Sequence, residues 1–167
     1  PATASTTTTC DSPPDNTRRR IVVGVVGGAG AGKSTFCALL SSSLDAALEA
    51  REEGEASAVV SMDGYHLTNA VLKSRSLASE KGRPDTIDAA GLAADLGAIR
   101  DAATQPRACV AVPIYDRKVT HDPVLGALVI GPQHAIVLVE GLHLLRGAAG
   151  GRGGGRGDGG SEEGSGG

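Results

Sequence analysis

Aromatic residues are almost absent from this sequence. They make up 2% of its 167 residues, with one Phe, two Tyr and no Trp. Hydrophobic residues still reach 40%, which is enough for a core, and that core must consist mainly of Ala, Val, Leu and Ile. The length fits one domain and leaves little for a second. We therefore expect a single domain with an aliphatic core.

Cysteine is scarce too. The three cysteines, Cys10, Cys37 and Cys109, lie far apart and show no CxxC or Cys/His spacing. A zinc site needs closely spaced ligands, and a disulfide framework usually needs a denser, even-numbered set. We therefore expect neither, and a reducing compartment, the cytoplasm, is the default expectation.

Charge of one sign does not dominate the sequence. Lys and Arg together number 16 and Asp and Glu 19, which gives a net charge of −3. Domains that bind nucleic acid are usually strongly basic, so this balance argues against a nucleic-acid partner. The segment GRGGGRGDGG could be read as an RNA-binding tail, but it has few arginines, no interleaved aromatic residues and acidic neighbours.

Long apolar runs are also missing. None approaches the roughly 20 residues that a membrane-spanning helix needs, and the N-terminal stretch has no signal-peptide core, so we expect no membrane partner. Residues 1–20 are rich in Ser and Thr and end in three arginines. We expect a disordered leader there. A transit peptide for organellar import is the alternative, which Asp11 and Asp15 weaken.

Residues 21–145 alternate strand-like and helix-like segments. The run IVVGVV (21–26) is continuous and β-branched, which is typical of a strand covered on both faces. Further strands are predicted at AVVSM, at ACVAVPIYD with its end at Pro113, and at AIVLVEG, while GALVI is a short strand or a hairpin arm. Helices follow the glycines at 27–32, Thr68 and Asp88, the last two as N-caps. The alternation predicts an α/β fold with a mostly parallel sheet.

The sequence after Leu145 changes character. It becomes rich in glycine and has almost nothing apolar to bury. We therefore expect residues 146–167 to form a disordered tail.

A phosphate-binding motif lies between the first strand and the first helix. The pattern Gly27-x4-Gly32-Lys33-Ser34 is a complete Walker A sequence. Glycines let backbone N–H groups surround phosphate oxygens, and the helix N-terminus adds partial positive charge. Lys33 reaches the outer phosphates of ATP, and the Ser34 hydroxyl is a ligand for Mg²⁺. The predicted nucleotide-binding residues are Gly27, Gly28, Ala29, Gly30, Ala31, Gly32, Lys33, Ser34 and Thr35.

Two carboxylates follow predicted strands and should lie at the same edge of the sheet as this loop. Asp63 comes directly after AVVSM, where it could take the proton of an acceptor hydroxyl. A turn aspartate before Gly64 is an equally open interpretation. Glu140 ends the most apolar strand, as does the acid that positions Mg²⁺ in many ATPases, although a helix N-cap or an exposed strand end is the alternative.

Five segments together resemble a known group of proteins. GGAGAGKST, MDGYHLTNAVLKSR, KGRPDTID, VPIYDR and VEGLHLL follow the motif order of the phosphoribulokinase/uridine kinase superfamily. The likeness is strongest to its nucleoside kinase-like, fructose-transport kinase and pantothenate kinase-like subgroup. It covers about Ile21 to Leu145 and implies a P-loop NTPase with three α/β/α layers.

The resemblance also implies an activity. It is the transfer of the γ-phosphoryl group of ATP, with Mg²⁺, to a hydroxyl of a small-molecule acceptor such as a sugar, a nucleoside or a pantothenate-like compound. It makes Asp63 the catalytic base beside Lys33, and it makes Ser34 and Glu140 the metal-linked residues. The acceptor contacts that it implies are Tyr65, His66, Arg83, Asp85, Tyr115, Asp116 and Arg117.

The sequence departs from the superfamily near its end. Leu142 and His143 follow the last strand where relatives have a hydrophobic Phe or Tyr. Superfamily members continue with a lid helix that carries an arginine, and no such segment follows here. We therefore expect the kinase fold to be incomplete at its C-terminal end. A non-catalytic or partner-dependent ATP-binding module is the alternative function, and the oligomeric state stays open.

Overall fold

The computed structural model describes residues 7–9, 20–49, 56–102 and 108–145. Within these ranges, three-residue 3-10 turns lie at Ala78–Glu80 and Pro84–Thr86, and a four-residue one at Met62–Tyr65. The strands are β1 (Thr7–Thr9), β2 (Ile21–Val26), β3 (Ala56–Ser61), β4 (Ala108–Asp116), β5 (Asp122–Ile130) and β6 (His134–Gly141). The helices are α1 (Lys33–Glu49), α2 (Asn69–Ser74) and α3 (Ala89–Ala102).

A parallel sheet of three strands, in the order β2-β6-β3, positions the phosphate loop. The central strand β6 pairs with both neighbours, so that Glu140 lies opposite Val25 on one side and Ser61 on the other. The carboxyl ends of the three strands therefore meet at one edge, where the phosphate loop leaves β2 and Asp63 follows β3. This is the predicted α/β fold, with the parallel sheet flanked by helices.

A second, antiparallel sheet has the order β1-β4-β5. Strands β4 and β5 form a hairpin, which confirms the hairpin-arm alternative for GALVI. The prediction that β4 ends at Pro113 was wrong, because the strand continues to Asp116. The register shifts between Val112 and Ile114, and this irregularity accommodates a proline that has no N–H for the ladder.

The first strand lies inside the segment that was expected to be a disordered leader. Thr7–Thr9 pairs with Ala108–Val110 of β4, so the expectation was wrong at these three residues. The other residues of 1–19 and the tail 146–167 lie outside the described residues. Cys109 is disulfide-bonded, against the expectation for the cysteines, whereas Cys37 is a buried free thiol.

The predicted N-caps of two helices are confirmed. The Thr68 hydroxyl accepts a hydrogen bond from the N–H of Val71 at 3.3 Å, and the Asp88 carboxylate accepts one from the N–H of Gly91 at 2.9 Å. Helix α2 is short: it ends at Ser74, and Ser76 takes a positive φ of 58°. Both caps fix the loop between β3 and α3, which borders the site described below.

The core lies between β3, β4, β6 and α3. Val110, Ile99 and Val137 are completely buried there. Strand β2 is different: Ile21 is 56% exposed and Val26 42%. The prediction of a strand covered on both faces was therefore wrong, since β2 lies at the edge of its sheet and α1 packs chiefly on β3 and β6.

Candidate active site

The phosphate loop has the predicted strand–turn–helix geometry. It connects β2 to α1, which begins at Lys33. Gly30 and Gly32 have φ of 71° and 78°, the left-handed region where a side chain is strained, so glycine is required at both positions. The Lys33 ammonium donates to the carbonyl of Gly28 at 2.8 Å, which holds the side chain along the loop.

Ser34 and Glu140 meet at the start of α1 and the end of β6. The Ser34 hydroxyl lies 2.9 Å from both oxygens of the Glu140 carboxylate, which is 5% exposed. A buried carboxylate without a partner would be costly, and this hydroxyl supplies a partner. A hydroxyl and a carboxylate are also the hard oxygen ligands that Mg²⁺ prefers, with water and phosphate oxygens completing the shell. The pair therefore fits a magnesium ion.

Asp63 lies on the 3-10 turn that follows β3. Its N–H donates to the hydroxyl of Ser61 at 3.4 Å, and its carboxylate accepts a hydrogen bond from the Arg117 guanidinium. A Cβ at Gly64 would lie 2.5 Å from the carbonyl oxygen of Pro113 on β4. Glycine is thus required for the close packing of this turn, while the Asp63 side chain is directed to Arg117.

One cavity brings these groups together. Its volume is about 560 Å³, within the range of small-molecule sites. The phosphate loop and the start of α1 line one side, with Glu140 at the end of β6. Ser61, Asp63 and Arg117 line the other side. Ser61 was missed in the sequence, although a polar residue at the end of an apolar strand, two positions before Asp63, was a usable signal.

His66 and Tyr115 lie beside Asp63. Their ring centroids are 5.4 Å apart with a tilt of 57°. The Nδ1 atom of His66 is 2.8 Å from the backbone carbonyl oxygen of Asp63. The guanidinium carbon of Arg117 lies 5.8 Å from the centroid of the Tyr115 ring. Of these three predicted acceptor contacts, His66 and Arg117 thus contact Asp63 directly and Tyr115 lies against both of them, although only Arg117 lines the cavity itself.

Tyr65 lies in the core and not in the cavity. It is 4% exposed, and its hydroxyl donates to the carboxylate of Asp95 on α3 at 2.9 Å. Burial, together with the hydrogen bond and negative charge of Asp95, raises the pKa of Tyr65 well above its usual value. The hydroxyl thus links the 3-10 turn at Met62–Tyr65 to α3, which argues against a direct contact with an acceptor.

Asp116 closes the turn between β4 and β5. Its carboxylate accepts hydrogen bonds from the backbone N–H groups of Lys118, Val119 and Thr120 and from the Thr120 hydroxyl. These donors, first among them the Thr120 N–H, hold the pKa of the carboxyl well below its usual range. Both oxygens are in use within the turn, so Asp116 supports its neighbour Arg117 and is not placed to bind a ligand.

Arg83 and Asp85 lie on the outer surface. Arg83 pairs with Glu80 at 2.9 Å and with Asp85 at 3.3 Å, and both predicted contacts are exposed. Neither residue lines the cavity. The loop itself is held by Thr86, which is completely buried, accepts from the N–H of Gly82 and donates to the Arg83 carbonyl.

The described part of the chain shows neither a metal-binding cluster of acidic, His and Cys side chains nor a membrane-spanning helix. No group of three or more His, Cys, Asp or Glu side chains within the described ranges is arranged so that it could hold a metal ion. In the same part of the chain, none of the helices combines the length and the hydropathy needed to cross a bilayer.

Comparison with known proteins supports the architecture. No protein-family model matches the chain. It is 34% identical over 129 residues to the pantothenate kinase of Leifsonia xyli subsp. xyli, covering 77% of this chain and 37% of that enzyme. The pantothenate kinase of Coxiella burnetii (strain Dugway 5J108-111) is 32% identical over 124 residues, covering 74% of this chain and 36% of that enzyme. The chain thus spans little more than a third of these relatives.

A solved structure shows the same relationship. It is a provisionally assigned fructose transport system kinase from Silicibacter sp. TM1040, with 36% sequence identity and a TM-score of 0.58. The match covers 75% of this chain and 55% of that chain. This structural match agrees with the strand–loop–helix geometry of the phosphate loop and with the sequence matches to pantothenate kinases. The chain is therefore related to the P-loop kinases, the group to which these enzymes belong.

Proposed function

We propose that this chain carries the phosphate-transfer site of a small-molecule kinase. The reaction would move the γ-phosphoryl group of ATP to a hydroxyl of a sugar, a nucleoside or a pantothenate-like acceptor, as in the uridine kinase-like superfamily. The observation that carries the proposal is the cavity in which the phosphate loop faces Asp63 and Arg117. The relatives support the kinase class but leave the acceptor open.

The nucleotide side of the site follows from the phosphate loop. Backbone N–H groups between Gly27 and Thr35, together with the N-terminus of α1, would bind the phosphates. Lys33 would leave the Gly28 carbonyl and contact the outer phosphates, where its charge stabilises the transferring group. Ser34 and Glu140 would hold Mg²⁺, which supplies charge neutralisation between the β- and γ-phosphates.

The acceptor side is built around Asp63. Its carboxylate would accept the proton of the acceptor hydroxyl as the hydroxyl oxygen bonds to the γ-phosphorus and the bond from that phosphorus to ADP breaks. The Arg117 guanidinium has N–H donors besides the one that binds the Asp63 carboxylate. His66 and Tyr115 lie next to this pair. We keep these three as acceptor-side residues and leave out Tyr65, Asp116, Arg83 and Asp85 because of their contacts elsewhere.

The test is acceptor-dependent ADP release with Mg²⁺ and ATP. The panel contains pantothenate, fructose, glycerate and uridine, and product is identified by mass spectrometry. Asp63→Asn should lower kcat at least 100-fold, because an amide cannot take the proton of the acceptor hydroxyl. The Kd for ATP should stay within twofold of wild type. Asp101→Asn, an exposed carboxylate at the end of α3, is the matched control and should behave like wild type.

The outcomes separate the two candidate functions. Turnover that depends on Asp63 supports the kinase. Binding of Mg²⁺ and ATP in calorimetry without phosphorylation of any acceptor would select a non-catalytic or partner-dependent ATP-binding module. Turnover that is equal in wild type and Asp63→Asn would contradict the role of Asp63.

A further inference from the structure

The backbone carbonyl of His121, in the turn between β4 and β5, is the meeting point of three hydrogen-bond donors. The Tyr115 hydroxyl donates at 2.6 Å, the Lys81 ammonium at 2.8 Å and the Asn69 side-chain amide at 3.2 Å. The donors come from β4, from the loop before α3 and from α2. A carbonyl oxygen has two lone pairs, so three donors from three segments make an unusually dense contact.

The backbone at His121 is strained. Its φ is 50°, in the left-handed region that non-glycine residues rarely adopt. Such a conformation costs free energy and persists where contacts with the surrounding structure hold it in place. The three donors to the His121 carbonyl are contacts of that kind.

Lys81 is the most connected of the donors. Besides the carbonyl of His121, its ammonium contacts the side-chain oxygen of Asn69 at 2.7 Å and the Asp122 carboxylate at 3.9 Å. Asp122 in turn accepts from the backbone N–H of Asn69 at 2.8 Å. The Lys81 side chain is 23% exposed, so water screens these contacts only in part. Loss of its charge would leave a partly buried cluster without its central donor.

The turn that Lys81 holds carries the groups around Asp63. Arg117 binds the Asp63 carboxylate, and the ring of Tyr115 packs on His66. The Lys81 ammonium is also 5.0 Å from the centroid of the Tyr115 ring, within the range of a cation–π contact. Lys81 does not line the cavity. We therefore expect its effect on the reaction to pass through its contacts with the His121 carbonyl and the Tyr115 ring.

We propose that Lys81 is a positioning residue for the acceptor side of the site. By holding the His121 carbonyl, it fixes the β4–β5 turn so that Arg117 and Tyr115 stay beside Asp63. This inference rests on the proposed function for its kinetic consequence. The nucleotide side of the cavity is formed by other elements, so it should be insensitive to Lys81.

The first experiment compares Lys81→Met with wild type. Met keeps the length and apolar stem and removes the charged donor. We expect kcat/KM for the acceptor to fall about tenfold, which corresponds to the loss of one charge-assisted hydrogen bond. The change should be mainly a rise of the KM for the acceptor. The KM for ATP should change less than twofold. Lys81→Arg keeps a cationic donor and should recover most of the loss. Lys73→Met, on the exposed last turn of α2, is the matched control and should show no change.

The second experiment needs no turnover. Amide hydrogen exchange of residues 117–122 should become at least tenfold faster in Lys81→Met, while exchange in residues 27–35 stays unchanged. His121→Asn should behave like wild type, since the backbone carbonyl is kept and Asn tolerates a positive φ.

The outcomes distinguish this inference from the proposed function. An unchanged acceptor KM, or an equal rise of KM for ATP, overturns the positioning role. If wild type phosphorylates no acceptor, the proposed function fails. The exchange data then decide the placement of the turn alone: faster exchange confined to residues 117–122 supports it, and unchanged exchange overturns it.

Discussion

The two sides of the parallel sheet differ sharply in burial. On the side of β3 and β6, Val137 is completely buried and Leu138 and Val60 are 1% exposed. On the side of β2 and α1, Ile21 is 56% exposed and Leu39 67%. Both sides are equally aliphatic in sequence. What separates them is the cover from other elements, since residues of β4 and α3 pack against β3 and β6, whereas β2 contacts chiefly β6.

This difference has consequences for stability and for function. Burying a Val, Leu or Ile side chain contributes about 1.5 to 3 kcal/mol, and an exposed one contributes little. The side of β3, β4 and β6 therefore supplies most of the stability and carries Asp63 and Glu140. The phosphate loop, by contrast, connects the less covered strand β2 to α1. Edge strands of this kind present unpaired backbone groups and promote association.

The strongest test of the comparison is a pair of leucine truncations. Leu138→Ala, in the central strand, should lower the free energy of unfolding by about 2 to 5 kcal/mol, because it leaves a cavity in the core. Leu39→Ala, on the exposed face of α1, should change it by less than about 0.5 kcal/mol. Urea unfolding followed by circular dichroism measures both. Equal losses of unfolding free energy in the two variants would contradict the conclusion that the side of β3, β4 and β6 supplies most of the stability.

A second pair uses two glycines. Gly64→Ala would force a Cβ against the carbonyl of Pro113, and we expect a loss of about 1 to 3 kcal/mol from the resulting shift of the 3-10 turn. Gly24 on β2 has open space around its Cβ position. Gly24→Ala should be neutral or stabilise by up to about 1 kcal/mol, since Ala restricts the unfolded chain. Thermal unfolding of the two variants checks this, and a tolerated Gly64→Ala would refute the close-packing account.

Much of the site was predictable because its chemistry depends on local patterns. The phosphate loop needs glycines and a Lys-Ser pair at a helix start, and Glu140 stands out as an acid at the end of an apolar strand. The N-caps Thr68 and Asp88 are local as well. In each case the residues that determine the structure lie within a few positions of one another.

The rest depended on contacts that are distant in sequence. An apolar run does not reveal whether its strand is central or at an edge, so the exposure of β2 was missed. Lys81 reaches the His121 carbonyl across 40 positions, and no spacing rule marks such a pair. The resemblance grouped Tyr65 with His66 as acceptor contacts, yet the Tyr65 side chain lies in the core and His66 contacts Asp63.

The smallest expected effect concerns the edge strand itself. Ile21→Lys places a charge at a position that is 56% exposed, so the free energy of unfolding should change by less than about 0.5 kcal/mol. A lysine on an edge strand opposes edge-to-edge pairing, so association at high concentration should decrease. Ile21→Thr keeps the β-branched shape without the charge and should reduce association less. Light scattering against concentration measures this; a large loss of stability in Ile21→Lys would mean that the β2 edge is covered in solution.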